Sequence, residues 1–351
     1  MMKKYFLPIL ISFVVLLNCK EDDSPIVVPQ PEATLDVPVG GPTEPNQVWV
    51  DLDQNRMNVN QRDSWDFGFY GGDKFRVILN NSTLMAAGKL NSTSIDEVRE
   101  SDIASMKSVV TVGNFQADNV QYVDDIMGNY LERTAIEEIS EKNEENHVYL
   151  VNMGYSVFSG NTNDLTVVGN HRGWKKIRVL RNDSNSYKIQ FADINDTTHH
   201  EMIVKKDKEY HFSYLSLSVG IVKVQPAKNL WDLCFTVFIN ENKGHGTYTF
   251  SDFVTINTMN NTGVYQANIS DVGSYEDFTK EKVDYTKFVY NDHRVIGSSW
   301  RTTYGGAKVF TDRFYVLKDS KGNLFKLKFL NMTDKDGRRG YPKFEYKLLT
   351  N

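Results

Sequence analysis

Residues 231–235 read Trp-Asp-Leu-Cys-Phe, and residues 65–69 read Trp-Asp-Phe-Gly-Phe. Each is followed by an apolar run led by phenylalanine and closed by asparagine. The first is Phe75-Arg76-Val77-Ile78-Leu79-Asn80 and the second is Phe253-Val254-Thr255-Ile256-Asn257. A tryptophan supplies a large apolar anchor for a strand, and the aspartate after it can accept backbone N–H groups at a strand edge or turn. Both are scaffold roles, so Trp65, Asp66, Trp231 and Asp232 are expected in the core. A second pair of patterns follows in the same order. Ile177 to Arg181, a turn, and Tyr187 to Phe191 are matched by Tyr315 to Lys318, a turn, and Phe325 to Phe329. The spacing between motifs differs, which predicts two related tandem halves with loops of unlike length. Convergent hairpin patterning would look similar, and the strand order in the two halves separates the two readings.

Further alternating runs read as strands: Val48 to Val50, His147 to Val151, Lys176 to Leu180, Phe235 to Ile239, Phe314 to Leu317 and Phe344 to Leu348. Gly71-Gly72-Asp73, Asn182 to Asn185, Asp319 to Asn323 and Asp336-Gly337 punctuate them as turns. Helical patterns are scarce, and Ser94 to Met106 and Leu131 to Glu141 are the best short candidates. The chain is therefore expected to be all-β and antiparallel, with few short helices. The 351 residues carry 40 Lys and Arg against 45 Asp and Glu, a net charge of −5 with no basic footprint for nucleic acid. Two cysteines allow neither a disulfide framework nor a thiolate zinc cluster.

The N-terminus reads as an export signal. Lys3 and Lys4 precede an apolar stretch from Phe6 to Leu17 that is too short to span a bilayer. Leu16-Leu17-Asn18-Cys19 resembles a bacterial lipobox, although Asn18 stands where a small residue is usual. It predicts a signal peptide over 1–18 and lipidation of Cys19. Lys20-Glu21-Asp22-Asp23 resembles the acidic export tag of surface lipoproteins in Bacteroidota. The expected location is the outer membrane, lipid-anchored and exposed on the cell surface, with the acyl chains as the membrane contact. Six of the nine prolines fall between 24 and 46, so residues 19–46 are expected to be a semi-stiff tether. The folded halves are then expected at 47–220 and 221–351.

Taken together, Trp-Asp-apolar-x-Phe, the Phe-led strand ending in Asn and the closing Tyr-Lys-x-x-Phe hairpin resemble the HmuY family, haem-binding lipoproteins of Bacteroidota. The second half carries the resemblance best and the first repeats it more loosely. The resemblance implies an all-β, hand-like fold that grips haem between projecting loops and passes it to an outer-membrane transporter of the TonB-dependent type. It also implies axial ligands drawn as His or Met pairs from two separate loops. Such a site needs those ligands, an apolar slot and groups that tolerate two propionates.

The motifs do not contain the ligands, so candidates come from loop context. His293 and Met332 bracket the last hairpin and are the first choice for iron, with Arg294 and Arg301 placed to meet propionates. Met127 or Met153 with His199 is the second choice, and His171 beside Gly173-Trp174 is a further option. Asp51-Leu52-Asp53-Gln54-Asn55 lacks the glycine and terminal glutamate of a calcium loop and is expected to be a polar turn. Cys234 is expected to be an inert buried thiol. No P-loop, nucleophile elbow or His-Glu-x-x-His occurs, so catalysis is not expected. The alternative is a surface module of the same architecture that binds glycan or protein as an adhesin, because fold alone does not settle function.

Overall fold

The computed structural model describes residues 32–350. The signal peptide, Cys19 and the acidic run lie outside the described residues. Among the described residues the α-helices, Glu100–Ile103 and Ile269–Val272, are single turns. Among the described residues no helix is long and apolar enough to cross a membrane.

The strands of the first part of the chain are β1 (Glu32–Asp36), β2 (Asn46–Asp51), β3 (Arg56–Gln61), β4 (Phe67–Tyr70), β5 (Val77–Leu79), β6 (Ala86–Lys89), β7 (Val148–Asn152), β8 (Trp174–Asp183), β9 (Ser186–Asp193), β10 (His200–Lys205), β11 (Phe212–Ser216) and β12 (Gly220–Val222). They are followed by β13 (Leu233–Asn242), β14 (Gly246–Ile256), β15 (Gly263–Asn268), β16 (Arg301–Thr302), β17 (Lys308–Val309), β18 (Arg313–Lys318), β19 (Leu324–Thr333) and β20 (Arg339–Leu348). Each of the ten segments read as strands from the sequence contributes to one of these.

The sheet orders show how the chain is built. One unit holds a five-stranded sheet β6-β7-β8-β9-β10 and a four-stranded sheet β5-β4-β11-β12. The other holds β15-β18-β19-β20-β1 and β14-β13-β2-β3. The two lists agree position by position once β1, β2 and β3 are placed where β10, β11 and β12 stand. Strand order thus favours related halves over convergent hairpins. It also moves the boundaries. β1 to β3 come first in sequence but complete the sheets of the second unit, so the division at 47–220 and 221–351 is not the division of the sheets. Nor is the proline-rich segment a tether throughout: β1 pairs with β20 from Glu32↔Lys347 to Asp36↔Lys343. Its prolines contribute carbonyls, with Pro45 accepting the Arg62 N–H at 2.8 Å and Pro42 the Thr166 N–H at 2.9 Å.

The Trp-Asp and Phe-to-Asn motifs make the same bonds in both units, whereas the second pair of patterns is offset by one strand, since β8 and β9 stand where β19 and β20 do and not where β18 and β19 do. Asp66 N–H donates to Leu215 O and Asp232 N–H to Val50 O, each at 2.8 Å. The Asp66 carboxylate accepts the Leu217 N–H at 2.7 Å, and that of Asp232 accepts the Leu52 N–H at 2.9 Å. Asn80 Nδ2 donates to Trp65 O at 2.7 Å and Asn257 Nδ2 to Trp231 O at 3.0 Å. Each asparagine opens a 3₁₀ turn that ends on a left-handed residue, Leu84 at φ 66° and Asn261 at φ 60°. The asparagine side chain is needed because it satisfies buried carbonyls that no strand reaches.

Side chains along the inner strands of the four-stranded sheets alternate between two apolar clusters, which defines the layers. Val48, Val50, Leu233 and Phe235 pack with Tyr315, Leu317, Phe325, Leu327, Phe344 and Tyr346 of the five-stranded sheet. The residues between them, Trp49 and Cys234, point the other way. They meet Trp65, Ile78, Phe212, Tyr214 and Trp231. In the first unit Phe67, Phe69, Val77, Leu79 and Leu215 face Tyr149, Val151, Ile177, Val179 and Ile189. The inner strands of the four-stranded sheets are therefore buried on both faces while the edge strands β3 and β12 keep exposed residues, and the layers run five, four, four, five. This explains why β2 and β5 read as continuous apolar runs rather than alternating ones.

The segment Leu131 to Glu141 is not helical. Ile136 and Ile139 have helical spacing but lie in an extended crossing under the first unit, held where Ile139 N–H donates to Phe75 O at 2.9 Å. Arg181 Nε donates to Ile139 O at 2.8 Å, which closes that crossing from the other side.

Two outcomes check this architecture. Replacing Asn80 or Asn257 by alanine strands buried carbonyls and is expected to cost about 2 kcal/mol or more in urea unfolding, at the 1–3 kcal/mol typical of each unsatisfied group. A fragment of residues 221–351, which lacks β1 to β3 and the facing unit, is expected to lack fixed near-UV circular dichroism.

Candidate functional site

The two four-stranded sheets meet in a joint lined by pairs of equivalent residues. By position in the two units Trp65 is equivalent to Trp231, Tyr214 to Trp49, Ile78 to Thr255 and Leu79 to Ile256, and all line the joint. They surround a cavity of about 100 Å³. Trp65 and Tyr214 meet edge to face at 4.7 Å. That volume is well under the roughly 300–1,000 Å³ of ordinary small-molecule sites, so it is no slot for a macrocycle.

His293 closes one side of the joint. Its backbone N–H donates to Met127 O at 2.9 Å and its Nε2–H to Ile126 O at 3.0 Å. The ring packs against Phe238 at 5.2 Å and Tyr130 at 5.9 Å. Gly128, at φ +88°, leaves the only space the ring can use, because a Cβ there would lie 2.7 Å from Nδ1. Burial pushes the imidazole down to about 4, so it is neutral at pH 7. His293 thus fastens a loop of the first unit to the second, and both ring faces and its Nε2 are already occupied.

Met332 is 1% exposed and sits in the core of the second unit with Trp300 and Phe329. The structure therefore does not bring His293 and Met332 to one open site. The second set is also dispersed. Met153 is buried in the core of the first unit. His199 lies beside β9 and β10, where Nδ1–H donates to Asp96 Oδ1 at 2.8 Å and Nε2 accepts from Gln190 Nε2 at 3.0 Å. His171 Nε2–H donates to Asn152 Oδ1 at 2.9 Å while Nδ1 accepts the Gly173 N–H at 3.2 Å. Satisfied nitrogens on both sides of a ring leave no lone pair for iron without rearrangement.

Met127 and Arg294 do come together. With Val120, Asp125, Arg133 and Glu241 they line an open cleft of about 380 Å³ at the rim of the joint. The Arg294 guanidinium pairs with Asp292 through two 2.9 Å contacts and donates to Asn240 Oδ1 at 2.8 Å. Arg301 lies elsewhere, in a cleft of about 580 Å³ with Arg339, Val167, Val168, Tyr248 and Phe250. Its Nε is 3.7 Å from Asp252, whose N–H donates to both carboxylate oxygens of the buried Glu44 at 3.1 Å. Burial, with Asp252 beside it, holds the Glu44 carboxyl well above the usual range. Sequence reading missed Arg339 and Tyr248, since nothing in the chain order places the β14 edge beside β20.

Asp51 to Asn55 forms the turn between β2 and β3, and Asp53 is already engaged by Lys321 and by Asn323 Nδ2 at 2.9 Å. Among the described residues no group of three or more His, Cys, Asp or Glu side chains gathers into a metal-ion site. Cys234 is buried and free, and desolvation pushes its thiol up.

The HmuY protein family matches residues 43–346. This chain belongs to the HmuY family. No curated protein matches it. Solved structures similar to it include an apo HmuY analogue from Tannerella forsythia, at 9% identity over 91% of this chain and 96% of that one, TM-score 0.25. Another is described as an HmuY-like haem-binding protein from Bacteroides vulgatus, at 7% identity over 91% and 93%, TM-score 0.22. A third is described as a lipoprotein from Bacteroides fragilis, at 8% identity over 91% and 92%, TM-score 0.22.

The burial of His293 has a pH signature. Its folded pKa of about 4 lies below the ordinary 6.5, so the unfolded chain binds more protons between those values and stability falls as pH drops through that window. Asp124, pushed up to about 7 by burial, acts in the opposite sense, gaining stability as pH falls below 7. Comparison with His293→Gln isolates the histidine: the variant is expected to lose about 1.4 kcal/mol per pH unit of slope between pH 6.5 and 4 in urea unfolding.

Proposed function

We propose that this protein is a surface-exposed haem-binding lipoprotein that hands its cargo to an outer-membrane transporter, with no reaction catalysed. The observation that carries the reading is a thioether and a guanidinium sharing one open cleft in a chain of the HmuY family. Met127 would supply sulfur to iron and Arg294 a cation to a propionate. Because Arg294 is already paired with Asp292, a propionate would have to compete with that carboxylate. Such competition suits a carrier that must release what it holds. Cys19 would bear the lipid anchor.

The larger cleft supports a second placement. Its volume falls within the ordinary range for small-molecule sites, Leu165, Val167, Val168 and Phe250 contribute apolar wall, and Arg301 and Arg339, both already paired with Asp252, would be the cations for two carboxylates. There Tyr248 would be the oxygen ligand to iron. Its exposed rings would serve a glycan equally well, which is the adhesin alternative.

Haemin titration separates these readings. Wild-type protein is expected to shift the Soret band, and Met127→Ala is expected to weaken binding at least tenfold while Tyr248→Phe leaves it unchanged. The reverse pattern moves the site to the larger cleft. A haemin spectrum untouched under oxidising and reducing conditions discards haem in favour of the adhesin reading.

A further inference from the structure

The joint between the units departs from its internal symmetry at several pairs of residues, and at one of them a hydrogen bond is lost. Trp65 Nε1–H donates to Gln47 Oε1 at 3.0 Å. The residue equivalent to Gln47 in the other unit is Phe212, since Leu215 and Val50 hold matching places against Asp66 and Asp232. Phenylalanine accepts no hydrogen bond. Trp231, equivalent to Trp65, is therefore left with an indole N–H that has no partner, although the residue is only 8% exposed. The Gln225 Oε1 atom is likewise buried and unpartnered, and both residues line the same cavity. An unmade bond at a buried donor costs about 1–3 kcal/mol. Two complementary orphans at one cavity are thus a built deficit.

The rest of the lining sets the chemistry of what would fill it. Trp49, Trp65, Ile78, Phe212, Tyr214 and Phe238 provide apolar and aromatic walls. No Asp, Glu, Lys or Arg faces the space. The lining histidines are already engaged, His211 Nε2 with Asn257 Oδ1 at 3.1 Å and His293 Nε2 with Ile126 O at 3.0 Å. A charged guest would find no counter-ion. The volume, about 100 Å³, approaches the roughly 150 Å³ of an apolar protein cavity known to admit benzene.

We infer that the joint is a binding site for a small, uncharged aromatic molecule bearing a hydroxyl, which accepts from Trp231 Nε1–H and donates to Gln225 Oε1. This site is separate from the clefts at the rim and does not rest on the haem reading. An occupant would bridge the two units and stabilise their contact, because it binds the assembled joint and not the unfolded chain.

The test uses phenol as the probe and toluene, the same shape without the hydroxyl, as its control. Isothermal titration calorimetry on the haem-free protein is expected to show saturable 1:1 phenol binding at least tenfold tighter than toluene. Trp231→Phe removes the unpaired donor together with part of a buried ring, so its far-UV circular dichroism is compared with that of the wild type, and the folded variant should lose the preference for phenol. Gln225→Leu should weaken that preference from the acceptor side. Haemin titration of the same variants is expected to match the wild type, so failure here and failure of the haem reading give different results. Absence of saturable phenol binding, an undiminished preference in both variants, or a phenol-soaked crystal with only water in the cavity would overturn the inference.

Discussion

Burial of both faces of the inner strands of the four-stranded sheets is the constraint on which the rest of the structure depends. A sheet with one wet face would tolerate polar residues at alternate positions. Here Trp49 and Cys234 on one face, and Val48, Val50, Leu233 and Phe235 on the other, are all withdrawn from water. Neither unit can keep its inner sheet without the other. The N-terminal strands are bound by the same requirement, since β2 pairs with β13 and carries half of that double-sided burial. A chain whose first strands finish its last unit brings residues about 180 positions apart into hydrogen bonds, as Leu52 and Asp232 show.

This joint also decides which side chains remain available for a ligand. His293, polar and loop-borne in sequence, is consumed as a fastener between the units. Met332 and Met153 fill cores. What stays open is the rim, where loops of one unit meet strands of the other and leave clefts containing Met127 with Arg294, and Arg301 with Arg339. A rigid layered body with open clefts at its loop-built edges would suit the carrier role proposed above, because the edges can yield while the layers do not.

Much of the scaffold was legible because it is written in short-range patterns. The Trp-Asp and Phe-to-Asn motifs named the strands and their closing turns, and the strands they predicted are present. The later part of the expected tether is a strand from Glu32, because the prolines mask a brief apolar alternation at Leu35, Val37 and Val39, which are buried. Edge placement allows prolines nearby, and even β20 holds Pro342, close to irregular pairing with β19 at Asn331. The helix expected at Leu131 to Glu141 failed because two isoleucines three apart suit a helix face and an extended crossing equally. The ligand pair was least legible. Whether a histidine is free depends on carbonyls far along the chain, as Ile126 O is for His293, and no local pattern reports that.

Equilibrium urea unfolding followed by two probes tests the layered account most directly: far-UV circular dichroism for all sheets, and tryptophan fluorescence dominated by Trp49, Trp65 and Trp231 in the joint and Trp300 in the second core. If the joint is shared core, both signals change in one coincident transition and fit a single m-value for the whole described body. Two resolved transitions, with the fluorescence change preceding a second loss of strand signal, would mean that each unit stands without its neighbour and would contradict the account.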